Sequence, residues 1–161
     1  MNSYHVKVAA EAFAAGMFAQ LDCEVSIQYG ADQPEYDLII AKATKLAKVS
    51  VKGSQDGAWG LTQSYKRGRT YQQAAAVWLA KHDPRTIFCL AQFQRVPPGD
   101  APRVYLATPA DIAHILTTTR NGHGDTILHE QHTYRTGAGA GTTNAIPSAW
   151  RLSAARLAKL I

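Results

Sequence analysis

Two short apolar segments, separated by only four residues, constrain the fold of this chain more than any other feature. Residues 36–41 (YDLIIA) and 46–52 (LAKVSVK) have the length and the side-chain alternation of β-strands. A link as short as Ala43 and Thr44 favours neighbouring strands that run in opposite directions. The sequence therefore predicts a β-hairpin in the first third of the chain.

The register of this hairpin decides which polar side chains meet. If Ala43 faces Thr44, Asp37 lies opposite Ser50, and Lys52 lies on the same face. A carboxylate beside a lysine on adjacent strands can form a site that acts on a phosphodiester. The carboxylate can hold a hard divalent cation such as Mg²⁺, and the lysine can orient water or stabilise developing negative charge.

The remaining pattern predicts one α/β (α+β) domain of 161 residues with a central mixed β-sheet of about five strands flanked by helices. Helical spacing predicts a first helix over 3–22, with Val6, Phe13, Met17 and Leu21 on its apolar stripe. Further helices are predicted over 70–82, 109–118 and 153–161, further strands over 24–29, 85–93 and 103–107, and loops over 53–68 and 120–144.

Charge is distributed unevenly along the chain. Residues 1–41 carry one lysine against six acidic residues, whereas residues 42–69 carry seven Lys or Arg against a single Asp. A basic block beside an acidic block suits a protein that meets a polyanion and also holds a cation, although an uneven solvated surface gives the same pattern.

The order of these residues resembles the PD-(D/E)XK (restriction-endonuclease-like) nuclease superfamily. A helix bearing Glu11 is followed by Asp37 at the start of one strand and by Ser50-Val51-Lys52 on the next. Residues 34–40 and 49–54 are similar to the branches that include small intron-encoded endonucleases and archaeal Holliday-junction resolvases. The resemblance covers about residues 5–93, and it implies a nuclease-like domain acting on DNA.

The resemblance also implies a role for each of these positions. Asp37 would be the first metal-binding acid, Lys52 the catalytic lysine, and Glu11 the helix acid that joins the metal shell in some branches. The backbone carbonyl of Val51 would be a further metal ligand. Ser50 stands where the superfamily usually has an acid, and a serine hydroxyl is a weaker ligand for Mg²⁺ than a carboxylate.

Three other side chains could compensate for Ser50, namely Glu11, Glu35 and Gln55. Without them, we expect weak binding of Mg²⁺ or Mn²⁺ and slow cleavage at most. The hypothesis is therefore a divalent-metal-dependent endonuclease, with a catalytically inactive nucleic-acid-binding module of the same fold as the alternative. A scaffold for protein interactions is a third reading, because fold does not fix function. The family resemblance is also compatible with a homodimer.

Basic and aromatic residues follow the site and predict contact with DNA. Lys66, Arg67 and Arg69 could neutralise phosphates, Trp59 could stack on bases, and Gln55 could reach the nucleic acid. The alternative interpretation is that these residues lie in a flexible loop exposed to solvent.

The other candidate segments do not match known metal-binding or phosphate-binding motifs. Residues 123–132 (HGDTILHEQH) hold three histidines and an aspartate without the spacing of a known metal motif, and residues 137–141 (GAGAG) lack the lysine of a phosphate-binding loop. Cys23 and Cys89 are expected to be buried free thiols. No apolar run approaches the roughly 18 residues of a membrane span, and no signal peptide is visible, so we expect a cytoplasmic protein.

Overall fold

The computed structural model describes residues 1–28 and 35–161. The predicted end of the first strand at Tyr29 and the break over 30–34 lie outside the described residues. The helices and strands are α1 Ser3–Gln20, β1 Glu24–Ile27, β2 Leu38–Lys42, β3 Lys45–Ser54, β4 Ala58–Gly60, α2 Tyr71–Ala80, β5 Ile87–Gln92, β6 Arg103–Ala107, α3 Pro109–Thr118, β7 Ile127–His129, β8 Gln131–Thr133, β9 Thr143–Ala145 and α4 Ala154–Leu160.

The central sheet has five strands in the order β1-β2-β3-β5-β6. Its strands pair antiparallel except for β3 and β5, which are parallel and are connected through α2. The predicted class, a mixed five-stranded sheet flanked by helices, is therefore confirmed.

The predicted β2–β3 hairpin and its register are also confirmed. Leu38 pairs with Val49 and Lys42 pairs with Lys45, so Ala43 and Thr44 form the turn. Ala43 adopts a left-handed φ of 54°, as tight hairpin turns require. The turn therefore forms without the Asn-Gly or Asp-Gly dipeptide that would have signalled it.

Helix α1 covers one face of the sheet through small residues. Its buried positions are Val6, Ala10, Ala14 and Phe18, whereas only Val6 belongs to the predicted stripe. The other predicted stripe residues are partly buried at the flank. The predicted stripe was wrong because the row that faces the sheet runs at a spacing of four residues through two alanines to Phe18, and the alanines were not counted as interface residues. The helix instead approaches the sheet closely at Gly53, where small side chains fit.

Helices α2 and α3 cover the other face, over Phe88 and Leu90 of β5. Both helices begin with a capping box, at Thr70 and Thr108. The threonine hydroxyl accepts a hydrogen bond from the backbone N–H three residues later, and the side chain of that later residue accepts one from the threonine N–H. The cysteines are buried and unpaired, as predicted.

Four strands lie where loops were predicted. Strands β4 and β7 pair in one small antiparallel sheet, and β8 and β9 pair in another. Each strand has only three residues, which is too short for side-chain alternation to stand out in the sequence. In the described ranges, no helix combines the length and hydrophobicity needed to cross a membrane.

Candidate active site

A cavity of about 530 Å³ opens at the end of β3. Its wall includes Asp37, Val51, Lys52 and Gln55, which the sequence analysis had singled out, together with Lys7 from α1. These residues come from three separate stretches of the chain. The cavity exists because β2 stops pairing with β3 at Leu38 while β3 continues to Ser54.

Asp37 lies one residue before β2 and is held by both neighbouring strands. Its backbone N–H donates to the carbonyl of Val49 at 2.9 Å, and its carbonyl accepts from the N–H of Gln28 at 3.0 Å. Its carboxylate Oδ2 accepts from the N–H of Val51 at 2.7 Å. The side chain of Asp37 therefore extends the β2–β3 ladder by one bond and is fixed beside Val51.

The backbone of Val51 faces the same way as that of Val49. Alternate residues of a strand direct their backbone groups to the same side, and the Val49 carbonyl already bonds to Asp37. The Val51 carbonyl is therefore directed towards the strand of Asp37, beyond the last backbone pair. This is the orientation that the predicted ligand role of Val51 requires.

Glu11, on α1, does not line the cavity, but its carboxyl group interacts electrostatically with Asp37 and Lys52. Burial raises the pKa of its carboxyl group, and the negative charge of Asp37 raises it further, while Lys7 and Lys52 act in the opposite direction. The ammonium group of Lys7 is 3.8 Å from Glu11 Oε1, which is too far for a hydrogen bond. That buried oxygen has no hydrogen-bond partner among the described residues.

Ser50 and Glu35 do not line the cavity. Ser50 is 4% exposed, and its partner on β5 is Phe88, whose side chain belongs to the core beneath α2 and α3. The register opposite Asp37 was predicted correctly, but the hydroxyl is covered and is not part of the cavity wall. Glu35 is exposed to solvent and does not contribute to the wall either.

Trp59 is among the residues that line the cavity, but its side chain is buried in the core, which does not fit the predicted stacking on nucleic-acid bases. Its side chain is only 3% exposed, and its indole N–H donates to the Lys52 carbonyl at 3.0 Å. The indole lies edge-on to the Tyr105 ring, with ring centres 6.4 Å apart, and its hydrogen bond fixes the backbone of Lys52. Gln55 exchanges two hydrogen bonds with the backbone of Met1, at 2.6 and 3.0 Å.

The basic loop predicted to bind DNA is ordered by its own side chains. Lys66 Nζ donates to the Arg69 carbonyl at 2.7 Å and lies 4.6 Å from the centre of the Tyr71 ring. Arg69 Nη1 donates to the Tyr65 carbonyl at 3.2 Å, and Arg67 is exposed. None of the three basic residues lines the cavity.

A polar chain next to the cavity escaped the sequence analysis. Gln92, fully buried, donates through Nε2 to Ser54 Oγ at 3.1 Å, and the Ser54 hydroxyl donates to Asp56 Oδ1 at 2.8 Å. Ser54 and Asp56 line the cavity. Their position directly after Lys52 was the available signal, but a Ser-Gln-Asp-Gly stretch is equally typical of a turn.

The donors at this site suit at most a weakly held divalent cation. Across residues 1–28 and 35–161, no three or more His, Cys, Asp or Glu side chains come together as a metal-binding group. That finding covers the histidines of 123–132 as well. The carboxylates of Glu11 and Asp37 remain as two candidate ligands, and Mg²⁺ is commonly held by one or two carboxylates plus phosphate.

Comparisons of this chain with protein-family models, with curated proteins and with solved structures gave no significant match.

Proposed function

We propose that this chain is a nuclease-like protein that acts on DNA phosphodiester bonds with a divalent metal ion. The observation that supports the proposal is the shared cavity wall of Asp37, Val51 and Lys52, with Glu11 alongside. The spacing of these residues resembles the PD-(D/E)XK superfamily, and the β2–β3 register is the one that this resemblance requires.

Each residue has a defined task in this proposal. Asp37 and Glu11 would hold Mg²⁺ or Mn²⁺, together with the Val51 carbonyl and a phosphate of the substrate. The bound cation would supply polarisation of the phosphate and a lower pKa for a ligating water. Lys52 would stabilise the negative charge that develops on the phosphate. Trp59 fixes the backbone carbonyl of the residue from which this side chain extends.

The nicking of supercoiled plasmid in Mn²⁺ or Mg²⁺ tests this function. We expect slow nicking by the wild type and a loss of at least about a hundredfold in Asp37→Asn, because removing a preorganised charge at a phosphoryl centre costs several kcal/mol. Asp100→Asn, which removes an exposed loop carboxylate, is the matched control and should nick normally. Equal nicking by the wild type and Asp37→Asn would refute the proposed site.

A DNA-binding protein of the same fold without catalysis is the second candidate. The burial of Ser50 favours it, because no side chain takes the place of the missing acid on that strand. In this case the basic loop would provide affinity, since each Lys or Arg that meets a phosphate releases counterions.

The second candidate predicts binding without nicking. Replacing Lys66, Arg67 and Arg69 by Gln should weaken DNA binding and make it less dependent on salt concentration, by up to about one unit of logarithmic slope for each lost phosphate contact. Fluorescence anisotropy with a labelled duplex at several salt concentrations measures both quantities. Unchanged affinity and slope in the triple variant would exclude this loop as the DNA contact.

A further inference from the structure

A second cavity, of about 900 Å³, adjoins the candidate active site and has no role in the proposed function. Asp56 and Ala58 line the candidate active site, while Gly57 between them lines the second cavity. We call it the arginine cavity, after the three arginines in its wall, Arg95, Arg103 and Arg151. Its volume lies within the range of roughly 300–1,000 Å³ typical of small-molecule sites.

The wall contains one acidic residue, Glu130, and its charge is already neutralised. Glu130 accepts two hydrogen bonds from the guanidinium of Arg103, at 2.7 and 2.8 Å, and a third from the Tyr105 hydroxyl at 2.6 Å. The hydrogen bonds from Arg103 hold the pKa of the Glu130 carboxyl below its usual value. Glu130 is therefore ionised and paired, and it adds little repulsion to a bound anion.

Backbone hydrogen bonds hold the wall in place. The N–H of Glu130 donates to the carbonyl of Gly57 at 2.8 Å, and the carbonyl of Glu130 accepts from the N–H of Ile146 at 3.0 Å. Arg151 pairs with Tyr105 in an isolated β-bridge at the outer edge of β6. The cavity therefore exists before any ligand arrives, which lowers the entropic cost of binding.

The other two arginines of the wall, Arg95 and Arg151, are exposed to solvent, and Arg151 also interacts electrostatically with Glu130. Neither Arg95 nor Arg151 forms an ion pair within the part of the chain that the structure describes. The guanidinium carbon of Arg151 lies 5.6 Å from the centre of the Tyr105 ring, within the range of a cation–π interaction. With three arginines and one glutamate, the wall of the cavity has a formal net charge of +2.

We infer that the arginine cavity binds the phosphate group of a nucleotide-sized ligand. A phosphate monoester carries close to two negative charges at neutral pH, which matches the two unpaired guanidinium groups. Guanidinium forks donate two parallel hydrogen bonds to such an oxyanion. Gln94, Gln131 and Ser148 supply further polar groups in the wall, and Ala145 and Ile146 supply an apolar surface for the rest of the ligand.

Calorimetric titration of the full chain with sodium pyrophosphate and with adenosine monophosphate tests the inference. We expect binding of both ligands, and a loss of at least about tenfold in the double variant Arg95→Gln/Arg151→Gln, since the charge-assisted hydrogen bonds to the phosphate would be lost. Arg135→Gln removes an exposed arginine outside the cavity and should bind as the wild type does. Circular dichroism would verify that all variants are folded.

Three outcomes would overturn the inference. The first is that neither phosphate compound binds at millimolar concentration, and the second is that the double variant and the Arg135→Gln control bind with equal affinity. The third is that adenosine binds as tightly as its monophosphate. A short oligonucleotide with and without a 5′-phosphate identifies the source of the phosphate. Tighter binding of the monophosphate indicates a free nucleotide, and tighter binding of the 5′-phosphorylated strand indicates a strand end. Asp37→Asn should keep this binding, so failure here is separable from failure of the proposed nuclease site.

Discussion

His129 occupies an environment that disfavours its charged form. Its imidazole stacks on that of His132, with ring centres 4.3 Å apart and planes 19° apart. Its Nε2 is 3.9 Å from Asp125 Oδ2, which already accepts a hydrogen bond from the Tyr134 hydroxyl at 2.9 Å. Burial lowers the pKa of His129, His132 lowers it further, and the charges of Asp125 and Asp56 only partly oppose this.

This lowered pKa makes the folding stability depend on pH. Below the ordinary value of 6.5 the unfolded chain binds a proton at this imidazole, while the folded protein does not until the pH falls further. Stability is therefore complete above pH 6.5 and declines as the pH falls through the interval down to the folded pKa.

We expect His129→Gln to lose less stability than the wild type between pH 7.5 and 5.5, because this source of proton-linked unfolding is gone. Urea denaturation at several pH values measures the difference. His114→Gln, on the exposed side of α3, is the control and should follow the wild type. A wild type and His129→Gln variant with parallel pH profiles would contradict the assigned environment.

At the scale of elements, the contact between α1 and β3 sets how far Glu11 is from Asp37, with which it interacts electrostatically. It is close because β3 has a glycine at the contact: a Cβ at Gly53 would lie 2.8 Å from the Val6 carbonyl oxygen and 2.9 Å from Ala10 Cβ. These distances are well inside van der Waals contact with backbone and with a short side chain. The helix would have to move to admit even one methyl group.

We therefore expect Gly53→Ala to destabilise the protein by about 1–3 kcal/mol, as overpacking in a core does. It should also weaken any metal binding, since α1 carries Glu11. Gly16→Ala is the matched control, because a Cβ there meets nothing within 4 Å. Replacing this glycine by alanine in the middle of a helix should stabilise the protein by about 0.5–1 kcal/mol. Chemical denaturation of both variants measures the two effects, and an unchanged Gly53→Ala midpoint would show that α1 is not tightly held.

At the scale of the whole molecule, the sheet and its central hairpin could be predicted because their information is local. Alternation over 36–41 and 46–52 defined two strands, and the short link defined their register, which the pairing of Leu38 with Val49 confirms. The same register correctly indicated that Asp37 and Lys52 would be neighbours. These features depend on residues close together in sequence, so a pattern of a few residues determines them.

The features that the sequence did not reveal depend on contacts between distant residues. Trp59 resembled a stacking residue, yet its N–H finds the Lys52 carbonyl inside the core. The arginine cavity gathers Arg95, Arg103, Glu130 and Arg151 from separate strands and loops, and no local spacing relates them. Burial and convergence of this kind are set by tertiary packing, which a single sequence does not display.

Glu130 joins parts of the chain that are far apart in sequence, and this has a consequence for the order of folding. Its hydrogen bonds reach Gly57, Arg103, Tyr105 and Ile146. Each of these hydrogen bonds closes a loop of the chain. The entropic cost of closing the loop must be met before the hydrogen bond can stabilise the fold. The hairpin of β2 and β3 closes at a tight turn and can form early. Residues 127–151, which supply Glu130, Ile146 and Arg151 to the arginine cavity, can dock only once the sheet exists. We therefore expect this cavity to gain its final wall late in folding.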